Sequence, residues 1–210
     1  MKDIEIFRKN GLTAIIRNYS LDDFRFILEC LLCSKIKNVE ITLNTKQYED
    51  MFRIINDEYP GEFFVGAGTV LSIEDVAKAK EMGSKYIILP NMNPQIIKKT
   101  KELNLISIPG AFTPSEIVTA YNLGADIVKL FPAISPEYAR AIKQPLNNIP
   151  IIAVGVPLEQ VSQYKEAGID GFGAGGNFLF PNEYVKTRNK EKLVSHIINY
   201  RNEVCGYENS

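Results

Sequence analysis

The sequence contains no tryptophan, only one histidine and only three cysteines among its 210 residues. A Ser-His-Asp triad, or any zinc site that needs a histidine, would have to use His196. His196 lies deep in a C-terminal segment with helical spacing, so we expect it to have a structural or surface role. The scarcity of histidine therefore argues against triad hydrolases and histidine-bearing zinc enzymes.

Cysteine chemistry is equally poorly represented. Cys30 and Cys33 form a C-x-x-C pattern, but the pattern lies inside an apolar run with helical spacing. Redox-active pairs favour an exposed helix N-terminus, where the pKa of the thiol is lowered. We therefore predict that both cysteines are buried and pack as small hydrophobic residues.

The chain also lacks an excess of one charge and any long hydrophobic run. It has 24 Lys and Arg against 25 Asp and Glu, which leaves no field that would hold a polyanion, so we expect no nucleic-acid partner. No apolar run is long enough to span a membrane, and the first ten residues lack the apolar core of a secretory signal. We therefore expect no membrane association and a cytoplasmic location.

What the sequence does contain is a regular alternation of short β-branched runs and segments with helical spacing. Several helical segments begin at a Ser or Thr suited to N-capping and end at a glycine suited to C-capping. The eight predicted strands are Thr13–Arg17, Val39–Leu43, Phe63–Val70, Tyr86–Pro90, Ile106–Ala111, Ile127–Pro132, Ile151–Gly155 and Gly171–Gly176.

Eight strand–helix units in one chain of this length predict a compact (β/α)8 (TIM) barrel in the α/β class, as a single domain over residues 1–210. The competing architecture is an open doubly wound sheet, which usually carries a glycine fingerprint in its first strand–helix turn. Residues 16–20, which form that turn here, include no glycine. The pattern therefore favours the closed barrel.

Two predicted strands carry charges where both faces of a parallel barrel should be apolar. Glu40 shares one face of its strand with Thr42 and Asn44, which we assign to the barrel interior, and Lys129 lies in the middle of another apolar strand. Burial lowers the pKa of a lysine and raises that of a glutamate. A neutral amine and a proton-carrying carboxyl are suited to Schiff-base chemistry, whereas the alternative is a structural Lys129–Glu40 ion pair.

Two further candidates lie at strand ends, where barrel active sites are found. Arg17 ends the first strand and could bind a substrate carboxylate, or it could be an arginine of the rim. Thr69 follows Gly66 and Gly68, two glycines that would let a ligand approach the backbone or would only allow close packing.

Glycine-bearing turns follow the seventh and eighth predicted strands. They contain Gly155 in the first turn and Gly175, Gly176 and Asn177 in the second. In barrels of this kind these turns often bind phosphate through backbone N–H groups. Ordinary turn glycines are the alternative.

Five motifs in chain order together resemble the class I, pyruvate-dependent aldolases that cleave 2-keto-3-deoxy-6-phosphogluconate or 2-keto-3-deoxy-6-phosphogalactonate. The resemblance implies that Lys129 forms the Schiff base, that Glu40 is the general acid and base, and that Thr69 binds the pyruvate carboxylate. It also implies that Pro90 and Phe131 contact substrate, that no metal or organic cofactor is needed, and that the chain forms a homotrimer. The five motifs span residues 39–43, 65–70, 108–116, 128–132 and 175–179.

The two branches of the family differ at positions that the chain allows us to compare. Asn44 and Arg17 resemble the phosphogalactonate branch, as does the stretch 88–91. The turn at Gly155 has one glycine where the family has two, and Asn177 replaces a common serine. These departures leave a 4-hydroxy-2-oxoglutarate aldolase open, and the fold alone also leaves open a phosphosugar isomerase or epimerase and a non-catalytic binding barrel.

Overall fold

A computed structural model describes residues 3–206 of the chain. The helices of this part are α1 (Asp3–Asn10), α2 (Leu21–Cys33), α3 (Tyr48–Glu58), α4 (Ile73–Glu81), α5 (Pro94–Glu102), α6 (Pro114–Asn122), α7 (Pro136–Lys143), α8 (Val161–Glu166), α9 (Asn182–Lys186) and α10 (Lys190–Cys205). The strands are β1 (Leu12–Ile16), β2 (Asn38–Thr42), β3 (Phe64–Gly68), β4 (Tyr86–Ile88), β5 (Ile106–Ile108), β6 (Gly110–Ala111), β7 (Val128–Leu130), β8 (Ile151–Val154) and β9 (Gly171–Gly175).

All strand pairs are parallel, and the order in the sheet is β5-β4-β3-β2-β1-β9-β8-β7-β6. β5 and β6 are one chain segment interrupted at Pro109, so the first pairs with β4 and the second with β7. The backbone N–H of Lys129 donates to the Pro109 carbonyl at 2.8 Å across this junction. The sheet is therefore a barrel of eight chain segments, which confirms the predicted (β/α)8 architecture.

The turn chemistry also follows the sequence signals. The side chains of Ser20, Ser72 and Thr113 accept hydrogen bonds from helix N-terminal N–H groups, and Glu116 completes a capping box with Thr113. The glycines that follow α4, α6 and α8 adopt left-handed backbone angles, with φ near 90°. These tight ends return each helix directly to the next strand.

One helix closes the N-terminal end of the barrel and was not predicted. α1 places Phe7 inside, where it is 4% exposed and its ring centroid lies 5.0 Å from that of Tyr86. The side-chain amide of Asn38, on β2, donates to the Phe7 carbonyl at 3.0 Å. The lower half of the barrel is thus filled and sealed, which leaves the carboxyl ends of the strands as the open mouth.

The apolar core has two parts, separated by the sheet. A large layer lies between the sheet and the surrounding helices. A smaller cluster fills the barrel interior and consists of Phe7, Tyr86, Ile88, Ile106, Ile108, Ile127 and Ile152. Polar side chains in this interior are therefore exceptions that need a physical reason.

The cysteine prediction is half right. Cys30 is fully buried, and burial raises the pKa of its thiol to about 12. Cys33 is exposed, so the prediction that it is buried is wrong; it is the last residue of α2 and faces solvent there. Both are free thiols.

The remaining sequence expectations concern His196 and membranes. His196 is half-buried on α10, and its Nε2 atom lies 2.9 Å from the Phe178 carbonyl oxygen, which confirms a structural role. Within residues 3–206, no helix is both long and apolar enough to cross a membrane.

Candidate active site

Lys129 is the central residue of β7 and points into the barrel. Its neighbours Val128 and Leu130 are fully buried in the layer between sheet and helices, so strand alternation directs the lysine to the opposite face. The lysine is 7% exposed, and its Nζ lies 4.7 Å from the centre of the Phe131 ring. Burial lowers the pKa of Lys129, with Glu40 opposing and Arg17 reinforcing that shift.

Glu40 lies in β2 and is 3% exposed. Burial raises the pKa of its carboxyl, and the charges of Lys129 and Arg17 oppose this shift. Neither the Glu40 carboxyl nor the Lys129 amine forms a hydrogen bond or an ion pair within 4.0 Å to any residue between 3 and 206. The structural ion pair that the sequence left open is therefore not formed.

Two glycines of β3 make room for the interior polar groups. A Cβ atom placed on Gly68 would lie 1.8 Å from Oε1 of Glu40, and one placed on Gly66 would lie 2.2 Å from the ring of Tyr86. Any side chain at either position would displace these residues. Side chains of neighbouring strands therefore occupy the space over both glycines, which supports the alternative that the glycines allow close packing.

Arg17 and Thr69 meet at the mouth of the barrel. Nη2 of Arg17 donates a hydrogen bond to Oγ1 of Thr69 at 3.1 Å, and Arg17 is exposed. Thr69 has φ 56°, a left-handed conformation that is unfavourable for a β-branched residue. Backbone strain of this kind is concentrated at functional sites, and here it holds a hydroxyl beside a guanidinium.

Pro90 and Phe131 lie on the same rim. Pro90 follows β4, and its carbonyl contacts Gly110, which in turn pairs with Lys129 in the sheet. Phe131 directly follows β7 and is 42% exposed, which is unusual for a phenylalanine next to a buried lysine. Phe131 thus lies directly against Lys129, whereas Pro90 lies behind Gly110, and substrate contact by either residue stays a prediction.

The glycine turns lie side by side, but they differ from the predicted phosphate cradle. A Cβ on Gly155 would be 4.0 Å from the Phe178 ring, so the two turns are neighbours. The N–H of Gly155 already donates to the Gly173 carbonyl at 2.9 Å, so the prediction that this N–H binds phosphate is wrong. Asn177 accepts a hydrogen bond from the Asn182 N–H at 3.1 Å through its side chain, which orders the second turn.

The prediction that Asn44 faces the barrel interior is wrong. Asn44 is exposed, because β2 ends at Thr42 and the chain turns outward there. The Thr42 hydroxyl contacts the Ile16 carbonyl at 3.2 Å and the Thr45 hydroxyl at 2.9 Å. Thr42 therefore ties the ends of β1 and β2 together at the mouth.

Tyr86 is the residue near the site that sequence reasoning missed. It is fully buried in the barrel interior, and its hydroxyl has no hydrogen-bond partner in the structure. The available signal was position: a tyrosine begins an otherwise aliphatic strand. That Tyr86 shares a row of the barrel interior with Glu40, however, could be known only from the register of β2, β3 and β4.

The buried lysine and carboxyl, without partners, define a class of protein. Strongly perturbed ionisable groups in a concave site are typical of catalysis, and a neutral amine is the nucleophile of Schiff-base enzymes. Both side chains project into the barrel interior, and that of Glu40 leans towards Gly68 at the carboxyl end of β3, the end at which barrel active sites lie. The fold and site are those of a barrel enzyme acting on a carbonyl compound.

Comparison with known proteins identifies the family. Residues 4–196 match the family model described as KDPG and KHG aldolase, and the chain belongs to this family. It is 32% identical to a 2-dehydro-3-deoxy-6-phosphogalactonate aldolase of Escherichia coli (strain K12), over 93% of this chain and 97% of the relative. It is 27% identical to a 2-dehydro-3-deoxy-phosphogluconate aldolase of Haemophilus influenzae, over 90% and 91% of the two chains.

A solved structure described as native KDPGal supports the same family assignment. It aligns with a TM-score of 0.80 at 32% identity, over 92% of this chain and 95% of that one. These matches confirm the predicted family resemblance, and the chain is an aldolase, an enzyme of the aldehyde-lyase class. They do not favour the isomerase, the epimerase or the non-catalytic barrel.

Proposed function

We propose that this aldolase cleaves 2-keto-3-deoxy-6-phosphogalactonate to pyruvate and glyceraldehyde 3-phosphate through a Schiff base on Lys129. The observation that carries the proposal is a buried lysine of lowered pKa that has no ion-pair partner among residues 3–206 and interacts electrostatically with a buried carboxyl. The phosphogalactonate branch is supported by Arg17, by Asn44 and by the 32% identity to an aldolase of that name.

The reaction begins with the neutral amine of Lys129. Its nitrogen lone pair attacks C2 of the substrate, a C–N bond forms, and the carbonyl π electrons move to oxygen, which takes a proton to give a carbinolamine. Glu40 gives a proton to this hydroxyl, which leaves as water, and the nitrogen lone pair forms the C=N bond of a positively charged iminium. Because desolvation lowers the pKa of Lys129, a larger fraction of the amine is neutral and nucleophilic near neutral pH.

Carbon–carbon cleavage then uses the iminium as an electron acceptor. Glu40, as the carboxylate, takes the proton of the C4 hydroxyl. The O–H bond electrons form the C=O bond of the departing aldehyde, and the C3–C4 bond electrons move into the iminium to form an enamine. Glu40, in its protonated form, supplies the proton that C3 of the enamine takes up. Addition of water to the resulting iminium returns Lys129 and releases pyruvate. The raised pKa of Glu40 suits a group that must both hold and release a proton.

The rim residues bind the parts of the substrate that do not react. The Arg17 guanidinium and the Thr69 hydroxyl, 3.1 Å apart, bind the carboxylate next to C2. Phe131 and Pro90 form the apolar wall above Lys129. The phosphate lies against the backbone of Gly175, Gly176 and Asn177, whereas Gly155 contributes shape but no N–H group.

Trapping with borohydride tests the chemistry directly. Wild-type protein incubated with pyruvate and borohydride should gain the mass of one reduced pyruvate adduct, and peptide mapping should locate it on Lys129. Lys129→Met should give no adduct. An adduct on another lysine, or none on the wild type, would overturn the proposal.

Substrate choice is tested by comparing three acids. The rate of pyruvate release should be highest with 2-keto-3-deoxy-6-phosphogalactonate, lower with its C4 epimer, and lowest with 4-hydroxy-2-oxoglutarate. A preference for 4-hydroxy-2-oxoglutarate would show that the glycine turns do not bind phosphate. A preference for the C4 epimer would move the chain to the phosphogluconate branch.

Assembly as a homotrimer is part of the same proposal. Support comes from a designed cage, described as built by fusing symmetric oligomeric domains, which aligns with a TM-score of 0.81 at 32% identity over 92% of this chain and 73% of that one. Leu71 and Ile134 are more than half exposed near the mouth, as expected for subunit contacts. Sedimentation equilibrium should give three times the chain mass. The cytoplasmic location stays a prediction.

A further inference from the structure

The Tyr86 hydroxyl is a buried polar group that neither the fold nor the proposed reaction explains. The residue has no exposed surface, and the hydroxyl makes no hydrogen bond to any group in residues 3–206. Leaving a buried hydroxyl unpaired costs about 1–3 kcal/mol, and phenylalanine would fill nearly the same space without that cost. The ring itself is well packed, against Phe7 at 5.0 Å and Phe64 at 5.7 Å between centroids. The hydroxyl therefore calls for a reason beyond packing.

The strand register places this hydroxyl towards Glu40. Gly66 pairs with Glu40 on one side and with Tyr86 on the other, so the three residues form one row across β2, β3 and β4. Because Gly66 has no side chain, the Tyr86 ring lies over it, on the side of β4 that faces β2. The negative charge of Glu40 adds to burial in raising the pKa of Tyr86, so the phenol keeps its proton and can donate it.

The two groups interact electrostatically without a direct hydrogen bond between them. No hydrogen bond of 3.5 Å or less joins the Tyr86 hydroxyl to the Glu40 carboxyl, both of which belong to the described part of the chain. A buried water typically bridges such groups, because it satisfies two or more polar atoms at once. The Glu40 side chain leans from the row of Gly66 towards Gly68, one layer nearer the mouth.

We infer that Tyr86 is a positioning residue for Glu40, and that its hydroxyl donates a hydrogen bond to the Glu40 carboxylate through one ordered water at the floor of the active site. The inference rests on the proposed role of Glu40 as acid and base. A donor below the carboxylate stabilises its ionised form and holds one oxygen in place, which leaves the other free to face the substrate. Tyr86 touches no reacting atom.

Two other buried hydroxyls provide the comparison that the test needs. Ser84 and Ser107 are also buried without hydrogen-bond partners. Ser107 alternates with Ile106 and Ile108 of the interior cluster, so its side chain faces the helices instead of the barrel. Removing the Ser107 hydroxyl therefore removes an unpaired buried group at a site remote from Glu40.

The test is the pH profile of solvent exchange at the methyl group of pyruvate, followed by proton NMR in deuterated water. In Tyr86→Phe the acid limb should move up by about one pH unit, because Glu40 loses a donor that favours its ionised form. Exchange below that limb should fall about tenfold, while the rate on the plateau and the KM for pyruvate stay near wild type. Ser107→Ala should leave the profile unchanged.

An infrared titration of the Glu40 carboxyl separates failure of the inference from failure of the proposed function. The band, assigned by its loss in Glu40→Gln, should titrate at higher pH in Tyr86→Phe than in wild type, whether or not the enzyme turns over. If wild type shows no methyl exchange, the proposed function fails, yet this titration still tests the link. If neither measurement distinguishes Tyr86→Phe from Ser107→Ala, the Tyr86 hydroxyl does not act on Glu40 and the inference is wrong.

Discussion

Two buried lysines at opposite ends of the barrel show what separates a structural charge from a reactive one. Lys143, at the end of α7, is 6% exposed, yet its Nζ donates to the Ile149 carbonyl at 2.6 Å and to Oδ2 of Asp170 at 2.7 Å. Lys129 is 7% exposed, and no carbonyl or carboxylate of the described part of the chain lies within bonding distance of its amine. Burial is the same for both, so the difference lies in the partners.

The partners of Lys143 belong to the closed end of the barrel. Oδ2 of Asp170 also accepts the Ile151 N–H at 2.8 Å, so one carboxylate fixes both the lysine and the start of β8. Such a network fixes the position of the lysine side chain and satisfies its donors. At the mouth, among residues 3–206, the ring of Phe131 and the charges of Glu40 and Arg17 act on Lys129. An ammonium is costly there, which favours the neutral amine.

Exchanging each lysine for methionine should give the largest difference in the rate of aldol cleavage. Lys129→Met should abolish aldol cleavage, since no other group replaces the nucleophile, and the fall should reach the detection limit of the assay. Lys143→Met should keep cleavage within about threefold of wild type, because its amine bonds far from the reacting atoms. Pyruvate release measured under saturating substrate checks both. Equal loss in the two variants would contradict the assignment of the nucleophile.

The second contrast concerns the acid and base. Glu40→Gln keeps the size of the side chain and removes its titration, so methyl-proton exchange and cleavage should both fall about 10²- to 10⁴-fold. Borohydride trapping on Lys129 should remain measurable, because formation of the Schiff base needs the amine first. Exchange at the wild-type rate would show that another group moves the proton and that Glu40 is structural.

The strands and the two buried charges of the active site were predictable from the sequence. Lys129 and Glu40 were identified because each interrupts an aliphatic strand, a local signal that needs no tertiary information. The strands and their order of occurrence followed from the same periodicity, and β5 and β6 were expected as one run. Capping residues then marked the helix ends with little ambiguity.

Features that depend on contacts between distant parts of the chain could not be predicted from the sequence. α1 has only Ile4 and Phe7 as apolar contacts, too few for a periodic pattern, so its role as a plug emerges only from packing. For the β3 glycines the sequence left ligand approach and close packing open, because their neighbours Glu40 and Tyr86 lie on other strands. The partners of Lys143 are likewise set by the return of α7 to β8.

Stability measurements sharpen the comparison further. Lys143→Met should lower the free energy of unfolding by about 2 kcal/mol, because the buried Ile149 carbonyl loses its donor. Lys129→Met should raise it by about 1 kcal/mol at neutral pH, since it removes a desolvated amine, and Glu40 can take up a proton. Urea unfolding followed by circular dichroism measures both. A loss of stability in Lys129→Met would show that Lys129 has a structural partner after all.

The gain in Lys129→Met should depend on pH with a defined sign. The pKa of Lys129 is lower in the folded state than in the unfolded state, so the unfolded chain binds more protons between these two values. The penalty imposed by this lysine is thus fully present at low pH and disappears as pH rises through its ordinary pKa of 10.5. The advantage of methionine should shrink in the same range, and a constant advantage would contradict the lowered pKa.

The smallest expected effect compares glycines at the two ends of the barrel. Gly176 and Gly61 have φ of 52° and 77°, and a Cβ on either would meet no atom within 4 Å. Alanine at either position should therefore cost a similar amount of stability, about 1 kcal/mol, through backbone strain alone. Gly61 lies between α3 and β3, at the closed end, whereas Gly176 directly follows β9 at the mouth.

Gly176→Ala should raise the KM for the phosphorylated acid several-fold and leave pyruvate exchange unchanged, because exchange uses only the Lys129 side of the site. Gly61→Ala should change neither. If both variants raise that KM equally, the turn after β9 shapes the barrel without binding phosphate, and the contrast between the two ends is confined to the lysines.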